Sequence, residues 1–251
     1  TVTGLGSTFQ KEGILKKLIV LMYRVGLKKA ECVFFQNQQN KRIFEEYAIV
    51  GKKSSLVSGS GVNLDKHPVE PYPCKVETIF LFVGRIMKEK GISEFIEAAR
   101  TLKDEITKFK VLGYCDEDYQ EDLMKLENAG IIQYEGFQTD VNKYLTEASA
   151  LVLPTYHEGM SNVLMEASAT GRPVIATNIS GCKEIFEDGV TGFGCEPQSS
   201  DSLIEAMKRF LALSVEERAE MGRKARKKME QEFDRKLVTD VYIKEINKIL
   251  K

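Results

Sequence analysis

Two carboxylates eight residues apart, Glu158 and Glu166, flank a small polar turn in the stretch 154-PTYHEGMSNVLMEASATGRPVIAT-177. The apolar run 149-SALVLP-154 reads as a strand and 155-TYHEGMSN-162 as a Gly-containing loop. The stretch 161-SNVLMEASATG-171 reads as a helix starting near Asn162 and stopped by Gly171 and Pro173. Glu158 then sits in a strand-to-helix turn and Glu166 on the second helical turn. The first-turn N–H groups of Ser161, Asn162 and Val163 have no intrahelical acceptor, so they offer an anion site for a phosphate or a polar sugar edge.

A second group lies in 78-TIFLFVGRIMKEKG-91, where an apolar strand ends at Gly84 and Arg85 and Lys90 follow. Ligands of open α/β sheets bind at the carboxyl ends of strands. Two cations beside a glycine that permits close approach suit a diphosphate, Arg as a fork and Lys as a point charge. Taken alone, the cations also describe a solvated basic loop, and either Glu an exposed charge. Carboxylates accept from hydroxyls but repel phosphates unless cations intervene. The combination therefore points to phosphates on Arg85, Lys90 and the helix start, with hydroxyls on the two Glu.

These residues need a scaffold, and from about residue 75 the chain supplies one. Apolar strand candidates 78–84, 107–113, 131–136, 149–154 and 173–177 alternate with helical stretches 93–103, 117–130, 140–148 and 161–171. That alternation predicts βαβ units in a mostly parallel sheet, and continuous apolar runs suit strands covered on both faces. Three amphipathic helices are expected at 199–213, 215–233 and 235–250. The basic cluster of the second reads as a solvated face. Residues 1–61 form a shorter α/β piece, and 62-VNLDKHPVEPYPCK-75, with three of the six prolines, reads as an interdomain linker. The expected organisation is thus 1–61 as a partial N-terminal domain, 62–75 as linker and 76–234 as a complete doubly wound domain. Residues 235–251 are expected to be a helix packing back on the N-terminal part. A piece of about sixty residues has a poor core alone, so a truncated first domain is expected.

The 251 residues carry a net charge of −1, with 43% hydrophobic and 29% charged residues. This is a globular composition with no global field toward nucleic acid. The five cysteines are widely spaced without a CxxC pair, which fits thiols in a reducing cytosol better than disulfides or zinc. No apolar run is long enough for a membrane span. Residues 1–29 hold six basic side chains against one acid. In the expected helix 11–29, Ile14, Leu15, Leu18, Leu21, Met22 and Val25 lie to one side and cations to the other. Membrane-surface docking and core packing with a solvated basic face remain equal readings. The acids Asp116, Glu117 and Asp118 are expected at a helix start, where the dipole favours them, rather than around a metal.

Pro154, Glu158-Gly159, Asn162, Glu166-Ala167, Gly171 and Pro173, followed by 181-GCKEIFEDGVTGF-193, resemble the retaining GT-B-fold glycosyltransferases with an E-x7-E motif. The segment 83-VGRIMKEKG-91 is similar to the same family's phosphate-contacting loop, and the resemblance covers nearly all of 54–235. GLGSTF, FFQN and SGSGVN look like the back half of the acceptor domain in bacterial members that build capsule, O-antigen or exopolysaccharide.

The resemblance implies an α/β fold of GT-B type, with part of an N-terminal and all of a C-terminal Rossmann-like domain. It implies transfer of a hexosyl or N-acetylhexosaminyl group, with retention, from a nucleotide-sugar donor to a glycan or lipid-linked acceptor. UDP is the default nucleotide. Arg85 and Lys90 would bind the diphosphate and stabilise the leaving nucleotide, Glu166 the ribose hydroxyls and Glu158 the donor sugar. Gly159, Met160, Ser161, Asn162 and Val163 would line the donor, and the base would lie near Gly136, Phe137 and Gln138. No metal or other cofactor is implied, and the setting is the cytoplasm, at the inner face of the membrane. The chain departs from the family in offering neither a Gly-rich first loop nor a His in 1-TVTGLGSTF-9; His67 lies in the linker and His157 beside Glu158. A GT-B-fold nucleotide-sugar epimerase and a non-catalytic nucleotide-sugar-binding module are the competing readings.

Overall fold

Helix and strand alternate along the chain, and every strand pairing is parallel in the computed structural model, which describes residues 1–4, 9, 13–50, 53–116 and 118–250. The N-terminal part contains α1 (Ile14–Leu27), β1 (Val33–Phe35), α2 (Gln38–Glu46) and β2 (Ser54–Leu56), with β1 and β2 paired. Then come β3 (Thr78–Val83), α3 (Ile92–Leu102), β4 (Thr107–Leu112), α4 (Gln120–Asn128), β5 (Gln133–Gly136), α5 (Asn142–Glu147), β6 (Ala150–Leu153), α6 (Asn162–Ala169), β7 (Val174–Thr177) and β8 (Gly192–Cys195). The strand order is β5-β4-β3-β6-β7-β8.

The chain therefore winds outward from β3 to β5, then returns to build the other half from β6. The two halves meet between β3 and β6, the reversal at which open α/β sheets leave a crevice. Phe80, Leu81 and Phe82 on β3 are all fully buried, whichever face they point to, so helices cover both faces and the expected doubly wound α/β sheet is present.

α7 (Ser200–Leu211) packs on α3, and α8 (Val215–Lys228) on α6. The helix expected across 215–233 leaves the α-form at Lys228, and Met229–Phe233 make a π-helical turn. That wider turn carries both Met229 and Phe233 into the core and lets the Phe233 carbonyl accept the Val62 N–H at 2.8 Å. α9 (Arg235–Ile249) follows. It places Tyr242 against Phe34, ring centroids 4.4 Å apart, and Glu245 beside Lys53 as an ion pair.

Residues 63–75 form neither helix nor strand, yet they are firmly held. The fully buried Arg172 guanidinium donates to the carbonyls of Glu70 (3.0 Å), Pro71 (2.8 Å), Leu145 (2.9 Å) and Thr146 (3.0 Å). Burial pushes its pKa down to about 10, the cost of keeping a cation among carbonyl dipoles away from water. The Tyr72 hydroxyl adds a bond to Ser149 O at 2.9 Å.

α1 differs from one of its two sequence readings. Its packing side is Lys16 and Val20, with Ile19, Tyr23 and Leu27 against a small aromatic core around Phe35 and Phe44. The Lys16 ammonium lies 5.1 Å from the centre of the Tyr47 ring. Ile14, Leu15, Leu18, Leu21, Met22 and Val25 are exposed, Ile14 by 87%, so these six are not a core-packing face among the described residues. Lys11 and Glu12 of that segment, residues 5–8 of GLGSTF, and Glu117 lie outside the described residues. Among the described residues no helix is long and apolar enough to cross a membrane.

Candidate functional site

The loop leaving β3 continues the sheet's hydrogen bonding for a few residues: Ile86 N–H donates to Tyr114 O at 2.9 Å and Asp116 N–H to Ile86 O at 3.1 Å. This alignment sets Arg85 Nη1 2.8 Å from Asp116 Oδ2, with both side chains at least one-third exposed. A 3₁₀ turn, Lys88–Lys90, ends at Gly91, whose φ of 76° lies in the left-handed region. A Cβ there would stand 2.1 Å from Pro154 O, so only glycine lets this loop lie against the end of β6. Glu89 O then accepts the Tyr156 N–H at 2.9 Å and the Thr155 hydroxyl at 3.2 Å. With the loops after β3 and β6 tied together, Lys90 Nζ reaches Glu158 Oε1 at 2.5 Å.

Arg85, Lys90, Glu158 and Gly159 line one cleft of about 640 Å³ at the sheet reversal, and Asn37 and Asn40 of the N-terminal part form its opposite wall. Asn37 joins the walls. Its Oδ1 caps α2 by accepting the Asn40 N–H at 2.8 Å, and its Nδ2 donates to Gly159 O at 2.6 Å. A volume of this size suits a ligand larger than a mononucleotide phosphate group alone. Its charge is mixed, since each of the two expected phosphate-binding cations already faces an acid.

The remaining expected donor residues do not line that cleft. Met160 is buried beneath Gly59. The Ser161 N–H, expected to be free, donates to Gly181 O at 2.9 Å. Gly181 has a φ of 91°, and a Cβ there would press on the Glu158 carbonyl at 2.6 Å, so the 178–184 loop closes tightly over the turn. This leaves Asn162 and Val163 N–H as the helix-start donors, while Asn162 Oδ1 accepts from Ser60 Oγ at 2.9 Å.

Glu166 faces residues 62–75 rather than the Lys90 pair. Its Oε1 lies 3.9 Å from His67 Nε2. Burial pushes its carboxyl pKa up, and the nearby Arg235 charge opposes that only in part. Gly136, Phe137 and Gln138 stand at the end of β5. Phe137 is exposed and meets Tyr114 edge-on at 6.3 Å, and Gln138 Nε2 donates to Glu135 O at 2.6 Å. The sequence reading missed Tyr114 and Asn37; a capping Asn before a helix is visible in FFQN, but its reach across a cleft is not. Asp116 and Asp118 precede α4 instead of starting it, and its first-turn acids are Glu121 and Asp122. Among the described residues no group of three or more His, Cys, Asp or Glu is placed to hold a metal ion.

Residues 72–228 match the model of the family "Glycosyl transferases group 1". The chain is 26% identical over 271 residues to N,N'-diacetylbacillosaminyl-diphospho-undecaprenol alpha-1,3-N-acetylgalactosaminyltransferase of Campylobacter jejuni, covering 100% of this chain and 70% of that protein. It is 28% identical over 176 residues to the capsular polysaccharide biosynthesis glycosyltransferase CapM of Staphylococcus aureus, covering 68% of this chain and 46% of the relative. Among solved structures, TarM superposes with a TM-score of 0.83 at 20% identity over 98% of this chain and 49% of its own. Anabaena Alr3699/HepE, in complex with UDP and glucose, gives 0.80 at 17% identity over 96% and 69%. Those likenesses establish an α/β fold of the GT-B type. With its parallel sheet and the matched span taken together, the chain belongs to the group 1 glycosyl transferases.

Proposed function

We propose that this protein transfers a hexosyl or N-acetylhexosaminyl group, with retention, from a nucleoside-diphosphate sugar to a glycan or lipid-linked saccharide in bacterial surface-polysaccharide synthesis. The observation that carries this reading is the convergence of Arg85, Lys90 and Glu158 on one cleft at the sheet reversal. Arg85 and Lys90 hold the diphosphate, Glu158 the donor sugar, and Glu166 the ribose. The base lies toward Gly136, Phe137 and Gln138. Charge gathering on the leaving diphosphate is stabilised by the two cations and the α6 start, so no metal is required. Closure between the walls joined by Asn37 aligns the acceptor hydroxyl with the donor from its leaving-group face.

The acceptor class is supported by the Campylobacter relative, named for a diphospho-undecaprenol acceptor, and UDP by the Anabaena complex; a cytoplasmic setting is part of the same proposal. Peripheral contact with an anionic leaflet through 11–29 belongs to the same reading, supported by the exposed apolar side of α1; full-length protein that fails to sediment with anionic vesicles removes it. The function itself is tested by giving full-length protein a panel of labelled donors and a lipid-linked acceptor. Transfer with retained anomeric configuration is expected. Donor isomerisation without acceptor, or binding without turnover, overturns the assignment in favour of an epimerase or a binding module.

A further inference from the structure

His67 stands between α6, which carries the ribose residue of the proposed donor site, and the start of α5. Its backbone is held on both sides. The His67 N–H donates to Asn63 O at 3.1 Å, and Arg226 Nη1 donates to His67 O at 2.8 Å and to Ala169 O, at the end of α6, at 2.7 Å. The ring is therefore set at a fixed distance from the helix that bears Glu166. Only 15% of the side chain is exposed.

Two buried polar atoms here have no hydrogen-bond partner: His67 Nδ1, and Oδ1 of Asn142 at the start of α5. Asn142 is oriented by its own Nδ2, which donates to Lys66 O at 2.9 Å, so its oxygen is the atom left over. A proton on Nδ1 is the donor that oxygen lacks, since a neutral imidazole carries one N–H and one lone pair. Burial, with the Lys66 and Arg235 charges, pushes the His67 pKa down against the pull of Asn142, in keeping with a neutral ring. With its proton on Nδ1, the ring presents the Nε2 lone pair, and that atom lies 3.9 Å from Glu166 Oε1.

Two acceptors at this separation match two adjacent hydroxyl donors. Resting on the reading of Glu166 as the ribose acceptor, we propose that His67 Nε2 is a second ribose-binding group, so that the imidazole and the carboxylate each accept from one hydroxyl of the ribose diol. Asn142 is then a positioning residue that holds the ring in the accepting tautomer. The protein distinguishes ribonucleotides from deoxyribonucleotides through two separable contacts.

Calorimetry on full-length protein with UDP, 2′-deoxy-UDP and 3′-deoxy-UDP tests this. The unaltered protein binds each deoxy form about fivefold or more weaker than UDP. In His67→Phe, one of the two deoxy forms binds as well as UDP while the other is still disfavoured; Glu166→Ala loses the complementary preference. His67→Gln, whose amide oxygen can replace the lone pair, keeps part of the lost preference, and Asn142→Ala weakens the same preference as His67→Phe. Equal weakening of all three nucleotides in His67→Phe and Asn142→Ala, or no change, overturns the inference while leaving Glu166 in place. Unaltered preferences in Glu166→Ala, or no nucleotide binding by any form, overturn the ribose reading and the inference with it.

Discussion

Lys90 Nζ and Glu158 Oε1 stand 2.5 Å apart, with side chains only 20% and 14% exposed. The ammonium assigned to the diphosphate and the carboxylate assigned to the donor sugar neutralise each other before a ligand arrives. In the proposed function, a diphosphate draws Lys90 toward itself, which frees Glu158 for sugar hydroxyls. On that proposal, phosphate and sugar recognition are coupled in one pair.

That coupling predicts opposite effects of two substitutions. Lys90→Ala weakens UDP binding about tenfold, the loss of one charged hydrogen bond. Glu158→Gln tightens UDP binding severalfold, because Lys90 is released, yet it slows transfer. Titration calorimetry beside a transfer assay reads both, and weaker UDP binding by Glu158→Gln removes the idea. In chemical denaturation the two substitutions show a coupling of about 1 kcal/mol, as expected for contacting residues.

Glu166→Ala weakens UDP binding by about 1–3 kcal/mol if the carboxylate accepts ribose hydroxyls. The pH dependence has a definite sign. Burial raises this carboxyl above its ordinary value of 4.5, and the ionised form accepts a hydroxyl hydrogen bond more strongly than the neutral acid. UDP affinity is full above the raised pKa and falls on acidification earlier than for an ordinary carboxylate. For stability the sign reverses. The folded state binds this proton more readily than the unfolded chain, so the contribution is present below 4.5 and lost as pH rises through the raised pKa. Glu166→Gln is therefore more stable than the parent to urea at pH 7, and the difference disappears at about pH 4.

Gly159→Ala tests how tightly the two walls meet. An added Cβ would stand 1.5 Å from Thr3 O and 3.1 Å from the Gln36 side chain. The N-terminal segment has to move, and the Asn37 bond to the Gly159 carbonyl breaks with it. A lower melting temperature is expected, together with transfer reduced more than UDP binding, since the proposed nucleotide site lies mainly on the sheet side.

Arg172→Met keeps an unbranched apolar stem but strips four well-placed donors from carbonyls on residues 70–71 and 145–146. Leaving buried carbonyls unpaired is one of the few mechanisms that cost several kcal/mol. A loss of about 3–5 kcal/mol in unfolding free energy is expected, and a loss below about 1 kcal/mol would show that water replaces the guanidinium.

The alternation of apolar runs with amphipathic stretches was enough to read the parallel sheet, because a buried strand must be apolar over its length and a covering helix must repeat at 3.6 residues. The same local logic marked Gly84-Arg85 and Pro154 to Asn162 as strand-end loops. It missed the side-chain pairings. Nothing in the spacing says that Lys90 meets Glu158, 68 residues away, or that Asp116 meets Arg85. Gly181 spends the Ser161 N–H, because a loop twenty residues downstream folds back over the helix start. On α1 the period was legible, but which face turns inward was not, since Lys16 can bury its stem under Tyr47 and leave six apolar neighbours outside.

What the sequence by itself determined is therefore the set of elements, their order and the chemical kinds of residue at the strand ends, since propensity, periodicity and turn chemistry act over a few neighbouring residues. Only the tertiary structure decided which of those residues meet. It placed β6 beside β3, set Asn37 across the cleft from Gly159, and brought His67 of the proline-rich stretch to Glu166. Such meetings depend on strand order and on the glycines that admit close approach, which are settled when distant segments pack together.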